Sequence, residues 1–245
     1  MTDRSPPLAS SPLRDVRTVL FDFDGTLVFH QPDSFDIISE FCAEIGQPLD
    51  PEEERQGRRM RHEYFVDPVI RDQIVGLSAD EFWMHFNRFL LEGLGIKGDL
   101  GQLAGELGTR FDGVELTYHC PDAGCRTLGG LRERGYRLGL ITNRANVPRF
   151  YELLEEMGLG AYFSLTLASG EVGISKPNPG IFYAAMDRLE ARGAEAIYVG
   201  DNYWADVVGA QRAGITPVLL DPHGLFPEAD CPVVERLDQL LAWLP

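Results

Sequence analysis

The chain has 245 residues, of which 44% are hydrophobic and 24% are charged, and it is long enough for one large α/β domain or for a core with an inserted second domain. Its net charge of −16 argues against nucleic acid and against a membrane surface as partners, because both are anionic and repel an acidic protein. The four cysteines form no CxxC pair and no zinc-ligand spacing, and no apolar run is long enough to cross a membrane. We therefore expect a cytoplasmic protein that is a monomer or a homodimer.

The first predicted element is a short buried strand that follows a segment rich in Ser and Pro. That segment, residues 1–15, lacks an apolar stretch, and we expect it to be a flexible tail. Residues 19–21 form a continuous apolar run, which is typical of a strand covered on both faces of a parallel sheet. The run is followed by Asp22 and Asp24, which would lie on one face if the strand continues, and Gly25 then permits a sharp turn.

These two aspartates admit two interpretations. Ligands bind at the carboxyl ends of strands in open α/β sheets, so Asp22 and Asp24 could hold a hard cation or act as nucleophile and general acid/base. Alternatively, the two side chains only cap the turn that follows the strand. The carboxylates by themselves do not decide between the two.

Residues 35–111 are predicted to be helical throughout. Apolar residues recur at helical spacing, and an aromatic stripe from Phe82 to Phe89 is interpreted as helical core. Three helix starts carry capping signals, namely Asp33 or Ser34, Asp50 before Pro51, and Ser78 with Glu81. A basic cluster in the second helix comprises Arg55, Arg58, Arg59, Arg61 and His62. We favour a solvated helix face for it, with Glu54 and Arg58 paired, over a patch that recognises an anion.

From about Cys120 the pattern changes to alternating helices and strands, which is typical of a parallel α/β sheet. The predicted strands are 138–142, 163–167, 196–199 and 217–220, and predicted helices include 147–157, 179–192 and 205–213. The first strand needs the later ones to form a sheet. We therefore predict a doubly wound, Rossmann-like α/β core of residues 16–30 and 117–245, with an inserted all-helical cap domain of residues 31–116.

Polar residues stand at the ends of these later strands as well. Thr142 and Asn143 offer a hydroxyl and a backbone N–H that can donate to a phosphate oxygen, although such a pair is usually a helix cap or turn. Lys176, one of only two lysines in the chain, precedes a helix start marked by Asn178 and Pro179.

Two further carboxylates follow the strand at 196–199. Asp201 comes directly after Gly200, and Asp206 lies near the start of the next helix. Asp206 could also serve only as a favourable acidic group at a helix N-terminus. The sequence thus predicts polar groups at the ends of three strands of one sheet.

In this order, these residues resemble the four motifs of the haloacid dehalogenase superfamily, and the resemblance covers residues 17–244. The strings that carry it are Asp22-Phe23-Asp24-Gly25-Thr26-Leu27, Ile141-Thr142-Asn143, Lys176-Pro177-Asn178-Pro179 and Gly200-Asp201-Asn202-Tyr203-Trp204-Ala205-Asp206. The last string spaces its acids one residue wider than phosphoglycolate phosphatases commonly do. It is nearer to family members known simply as hydrolases.

The resemblance implies a role for each of these residues. Asp22 would be the nucleophile and Asp24 the general acid/base, with Lys176 completing the catalytic set. Thr142, Asn143 and Lys176 would bind phosphate, and Asp22, Asp24, Asp201 and Asp206 would hold Mg²⁺. The implied reaction is hydrolysis of a small phosphate monoester through an aspartyl-phosphate intermediate.

Within this family, the position of Asp24 separates the reactions. Dehalogenases lack an acid there because a halide leaving group needs no proton, so Asp24 favours phosphoryl chemistry. A phosphosugar mutase that uses the same residues, and a binding protein that holds a phosphorylated ligand without turnover, remain as alternatives. The partner implied in each case is a small phosphorylated metabolite whose identity the sequence does not reveal.

Overall fold

The computed structural model describes residues 15–64 and 67–244, so the predicted tail, apart from Asp15, lies outside the described residues. The chain divides into two compact units. Of the described residues, 15–29 and 118–244 belong to the first unit, and those of His30–Thr117 belong to the second.

Parallel strands form the centre of the first unit. The strands are, in chain order, β1 (Thr18–Phe21), β2 (Phe29–Gln31), β3 (Thr117–His119), β4 (Arg137–Thr142), β5 (Leu165–Ala168), β6 (Ala196–Gly200), β7 (Thr216–Leu220) and β8 (Val233–Val234). Six of them form one sheet in the order β5-β4-β1-β6-β7-β8, and all of its neighbouring strands are parallel. The short strands β2 and β3 form a separate two-stranded sheet.

Helices make up the second unit and alternate with the strands of the first. They are, in chain order, α1 (Ser34–Glu44), α2 (Pro51–Tyr64), α3 (Pro68–Ile74), α4 (Ala79–Gly93), α5 (Leu100–Asp112), α6 (Asp122–Glu133), α7 (Val147–Glu156), α8 (Ser169–Val172), α9 (Pro179–Arg188), α10 (Gly209–Arg212) and α11 (Leu240–Trp243). A π-helix over Tyr203–Val208 precedes α10. No helix in the described part of the chain is long and apolar enough to cross a membrane.

The alternating side chains of β1 pack into two separate cores. Val19 and Phe21 belong to a cluster that includes residues of α6, α7 and α11, whereas Leu20 belongs to a cluster with residues of α9 and α10. Both faces of the sheet are therefore covered by helices, as expected for a parallel sheet. The predicted doubly wound α/β fold is confirmed, and the described residues between Pro32 and Leu116 contain helices and no strand.

Two helices of the first unit have boundaries that differ from the predicted ones by two residues or more. Helix α9 ends at Arg188 rather than at residue 192, because the chain turns away through Glu190, whose φ is +49°. The helix predicted at 205–213 begins earlier, at Tyr203, because the side chain of Asn202 accepts hydrogen bonds from the backbone N–H groups of Trp204 and Ala205. Its first part is a π-helix, a form found frequently at functional sites.

The position of β1 places three strand ends side by side. In the sheet register, Phe21 stands opposite Leu140 of β4 on one side and Val199 of β6 on the other. The residues that follow β1, β4 and β6 therefore lie together at one edge of the sheet.

In the second unit, the predicted capping signals are in place. Asp33 accepts a hydrogen bond from the Phe35 N–H at the start of α1, and Ser78 and Glu81 form a reciprocal capping box at the start of α4. The prediction that the aromatic stripe is core is correct for Phe86, which is buried, and wrong for Trp83, which is exposed.

The predicted Glu54–Arg58 pair is replaced by other contacts. Arg58 pairs with Asp33 at 2.7 Å, and its guanidinium lies 5.0 Å from the centre of the Phe35 ring. Glu54 instead accepts a hydrogen bond from Ser39 at 2.6 Å. Arg58 therefore links α2 to the start of α1 rather than standing on a purely solvated face.

Candidate active site

Asp22 lies directly after β1, and its side chain is buried. Its backbone N–H donates to the Val199 carbonyl at 2.9 Å, which extends the pairing between β1 and β6 by one residue. One carboxylate oxygen, Oδ1, accepts a hydrogen bond from Lys176 Nζ at 2.5 Å. A carboxylate is costly to bury unless it is paired, and Lys176 supplies that pairing.

The Lys176 ammonium donates three hydrogen bonds, which is the full number that it can make. Besides Asp22, it donates to Asp206 Oδ1 at 2.7 Å and to the Tyr198 hydroxyl at 2.9 Å. The Tyr198 hydroxyl in turn donates to the Ile141 carbonyl at 3.2 Å. The ammonium is thereby fixed against residues at the ends of β1, β4 and β6.

Asn143 holds the backbone of the loop that presents Lys176. Its side-chain amide donates to the Lys176 carbonyl at 3.0 Å and accepts from the Lys176 N–H at 2.8 Å. Thr142, buried at the end of β4, accepts a weak hydrogen bond from the Arg144 N–H at 3.3 Å. The side chain of Asn143 therefore positions the loop that carries Lys176. The sequence predicts a different role for the Asn143 backbone N–H, which is to donate to a phosphate oxygen.

Three carboxylates converge beside this ammonium. One oxygen from each of Asp22, Asp201 and Asp206 lies within 4.8 Å of the others. Asp206 also accepts from the Asn202 N–H at 2.9 Å, and Thr26 donates to Asp201 at a long 3.4 Å. An oxygen-only donor set of this kind suits a hard divalent cation.

Two glycines allow these carboxylates to approach so closely. A Cβ on Gly25, where φ is +77°, would lie 2.3 Å from Asp201 Oδ2. A Cβ on Gly200 would lie 2.3 Å from the Asp206 carboxylate. Any side chain at either position would push a carboxylate out of the cluster.

The cluster carries an excess of acidic groups, and the pKa values reflect it. Burial raises the pKa of Asp22, and the carboxylates of Asp206 and Asp201 add to this, so that the pKa stays well above its ordinary value despite Lys176. Burial alone would lower the pKa of Lys176, but attraction to Asp206 and Asp22 raises it well above its ordinary value. One ammonium thus faces three carboxylates, and a divalent cation would compensate the remaining charge.

Asp24 lies apart from this network. Its side chain is 48% exposed and forms a bidentate ion pair with Arg144, with Nε donating to Oδ2 at 2.8 Å and Nη2 donating to Oδ1 at 2.6 Å. Both carboxylate oxygens therefore already accept a hydrogen bond from a cation.

The structure links Asp22, Asn143, Lys176 and Asp206 by hydrogen bonds, brings Asp201 beside them, and places Thr142 at the adjacent strand end. Sequence reasoning missed Tyr198 and Arg144. Tyr198 could have been noticed as the one residue with a polar tip in the apolar run 196–199, and Arg144 as the residue directly after the Thr142-Asn143 pair.

Comparisons with known proteins identify the family of this chain and several relatives. The family model of the haloacid dehalogenase-like hydrolases matches residues 16–214. A ribulose-1,5-bisphosphate 5-phosphatase from Halopiger xanaduensis is 31% identical, over 83% of this chain and 84% of the relative. A glyceraldehyde 3-phosphate phosphatase from Pyrococcus furiosus is 27% identical, over 95% of this chain and 92% of the relative.

The fold of this chain is also similar to that of solved structures. A 2-haloacid dehalogenase from Pseudomonas syringae pv. Tomato is similar with a TM-score of 0.53 and 26% identity, over 94% of this chain and 98% of the other. Since the family model spans well over half of the sequence, the chain belongs to the haloacid dehalogenase-like hydrolases.

Proposed function

We propose that this protein is a Mg²⁺-dependent phosphatase that hydrolyses a small phosphate monoester through an aspartyl-phosphate intermediate. The observation that carries the proposal is the buried Asp22 carboxylate, fixed by Lys176 at 2.5 Å and flanked by Asp201 and Asp206. A carboxylate held in one orientation can attack phosphorus in line with the leaving group.

The reaction divides into two steps, each with a role for Asp24. In the first, Asp22 attacks phosphorus, and the bond from phosphorus to the alcohol oxygen breaks while Asp24 gives a proton to that oxygen. In the second, the water oxygen attacks the phosphorus of the aspartyl-phosphate, the bond from phosphorus to the Asp22 oxygen breaks, and Asp24 takes a proton from the water. Inorganic phosphate leaves, and both aspartates return to their starting states.

The remaining residues bind and neutralise the phosphoryl group. The Thr142 hydroxyl and the Asn143 N–H would donate to its oxygens, and the positive charge of Lys176 would attract the phosphoryl group while its three protons stay on Asp22, Asp206 and Tyr198. Asp22, Asp201, Asp206 and the backbone carbonyl of Asp24 would hold Mg²⁺, which supplies charge neutralisation at the phosphoryl oxygens when it is bound. The three clustered carboxylates and the unbalanced negative charge around Lys176 support this assignment.

The relatives and Asp24 support the proposed substrate class. The two relatives named above are phosphatases of small phosphorylated compounds, which supports a small phosphorylated metabolite as the substrate. One structural relative is a dehalogenase, but a halide leaves without a proton. An acid at position 24 therefore favours hydrolysis of an ester, whose alcohol needs a proton on leaving.

A screen of phosphate monoesters tests the proposal. The purified chain is incubated with phosphoglycolate, phosphoserine, glyceraldehyde 3-phosphate and a hexose phosphate, in Mg²⁺ or in EDTA, and released phosphate and isomerised sugar are measured separately. We expect phosphate release that depends on Mg²⁺, is lost in EDTA and returns when Mg²⁺ is restored. Full activity in EDTA would contradict the metal site, isomer without net phosphate would identify a mutase, and tight binding without turnover would identify a binding protein.

A further inference from the structure

The ion pair between Arg144 and Asp24 is bidentate although the Asp24 side chain is about half exposed. Two parallel N–H···O bonds, of 2.8 Å and 2.6 Å, join the guanidinium edge to both carboxylate oxygens. Ion pairs on half-exposed side chains generally add little to stability. A bidentate pair at the residue proposed to transfer the proton therefore points to a role in the reaction.

The arginine is the fixed partner of this pair. Its guanidinium carbon lies 5.4 Å from the centre of the Phe23 ring and 5.7 Å from that of Tyr118, so aromatic rings hold it through cation–π contacts. The Arg144 side chain is 20% exposed, against 48% for Asp24. Burial opposes the charge of Arg144, but its hydrogen bonds to Asp24 and Tyr118 raise the pKa of the guanidinium, which keeps it a cation.

Asp24, by contrast, is the partner that would move without the pair. It lies in the turn after β1, where Gly25 N–H donates to the Val28 carbonyl at 2.9 Å, and nearly half of its side-chain surface is exposed. A free side chain there would sample several rotamers, and ordering it has an entropic cost. The fixed guanidinium removes most of that freedom before a substrate arrives.

We propose that Arg144 is a positioning residue for the general acid/base, because it holds the Asp24 carboxylate in one orientation through a bidentate pair. Each carboxylate oxygen has a second lone pair that Arg144 does not occupy, so one oxygen can carry the proton that goes to the leaving alkoxide oxygen and can later accept a proton from water. The inference rests on the proposed function, because it gives Arg144 its role through Asp24.

Three variants and one control test this inference. Arg144→Met removes both donors while keeping an apolar stem, and Arg144→Lys keeps the charge but loses the bidentate fork. Arg149→Met is the control, because Arg149 also stacks on Tyr118, at 5.9 Å, yet pairs with Glu152 and Glu156 instead of a site carboxylate. Asp24→Asn supplies the background in which Arg144 has no carboxylate to position.

We expect Arg144→Met to lower kcat by about 10- to 100-fold with KM changed less than about twofold, since misplacing a catalytic group affects turnover rather than binding. Arg144→Lys should fall between Arg144→Met and wild type, and Arg149→Met should match wild type. In the Asp24→Asn background, Arg144→Met should cause no further loss, because residues that act as a unit are not additive.

Several outcomes would overturn the inference. An equal loss from Arg144→Met in both backgrounds would show that Arg144 acts independently of Asp24, and a raised KM with unchanged kcat would make it a substrate ligand. If Arg144→Met does not fold, as judged by circular dichroism, the same cycle is run with Arg144→Lys. A wild-type protein without phosphatase activity would refute the proposed function and this inference with it, whereas an active wild type with an uncoupled Arg144 would refute this inference alone.

Discussion

All three protons of the Lys176 ammonium are used within the protein, on Asp22, Asp206 and Tyr198. The guanidinium of an arginine is planar and larger than an ammonium. It could not donate to three acceptors that surround a single nitrogen atom, as the Lys176 ammonium does. This accounts for a lysine at position 176 in a chain whose other basic residues, apart from Lys97, are all arginines. Lys176 therefore orients the Asp22 carboxylate at the same time as it compensates its charge.

The Asp22→Asn variant tests the role of that carboxylate. The change preserves size but removes the nucleophilic oxygen charge, so we expect kcat to fall by about 10⁴- to 10⁶-fold. Because burial and the neighbouring carboxylates oppose a charge on Asp22, the variant should stay folded. Steady-state kinetics and thermal unfolding measure the two effects, and retention of a tenth of the activity would rule out covalent catalysis by Asp22.

Site residues can be predicted from the sequence only where a local pattern marks them. Asp22 and Asp201 were predicted because acidic residues directly after apolar strands are unusual. Arg144 was missed because its role comes from Asp24, 120 residues earlier in the chain, and no local pattern marks such a pair. Tyr198 was missed because an aromatic residue in a buried strand is ordinarily core.

Among the elements, β1 decides where the site lies. Its pairing with β4 and β6 brings Asp22, Thr142 and Gly200 to one edge of the sheet. These strands were predicted because each contains a short, largely apolar run. Strand β8 was not predicted, because its two residues are too few to show an apolar pattern. It is defined by hydrogen bonds that its neighbour β7 and the residue after β7 donate to the carbonyls of Pro232 and Val234.

Helix α1 offers a prediction about pH. Asp33 caps this helix and pairs with Arg58; burial tends to raise its pKa, but Arg58 and the Phe35 N–H outweigh burial and lower it. A folded-state pKa below the unfolded one means that the stabilisation is present above the ordinary value of 3.8 and is lost as pH falls through the lowered pKa. Asn caps as well as Asp but carries no charge.

We therefore expect wild type to unfold at a higher temperature than Asp33→Asn at pH 7, by no more than about 2–4 °C, since such a half-exposed pair contributes at most about 1 kcal/mol. The difference should shrink as pH falls below about 4. Asp99→Asn is the control, because Asp99 caps α5 through Gly101 and Gln102 and has no ion pair in the described part of the chain. A difference that stays constant down to pH 3 would contradict the assignment to the Arg58 pair.

At the level of the whole molecule, both the net charge of −16 and the acidic cluster predict that added cations stabilise the folded state. An excess of one charge destabilises a compact state through self-repulsion, and added salt screens part of it. A specific cation site adds a separate stabilisation, because a ligand that binds only the folded state shifts unfolding by mass action. The two effects differ in their dependence on the cation and on Asp201.

Mg²⁺ should therefore raise the unfolding temperature of the wild-type protein beyond what screening explains. At a concentration 100 times the dissociation constant, binding contributes about 2.7 kcal/mol, which corresponds to a rise of about 5–11 °C for a chain of this size. NaCl at matched ionic strength should produce only the screening part.

Asp201→Asn removes one of the three clustered carboxylates and should lose most of the Mg²⁺ increment while keeping the NaCl response. Thermal unfolding by circular dichroism measures all four combinations without any substrate. An equal Mg²⁺ increment in Asp201→Asn, or an NaCl effect as large as that of Mg²⁺, would contradict a metal site at this cluster.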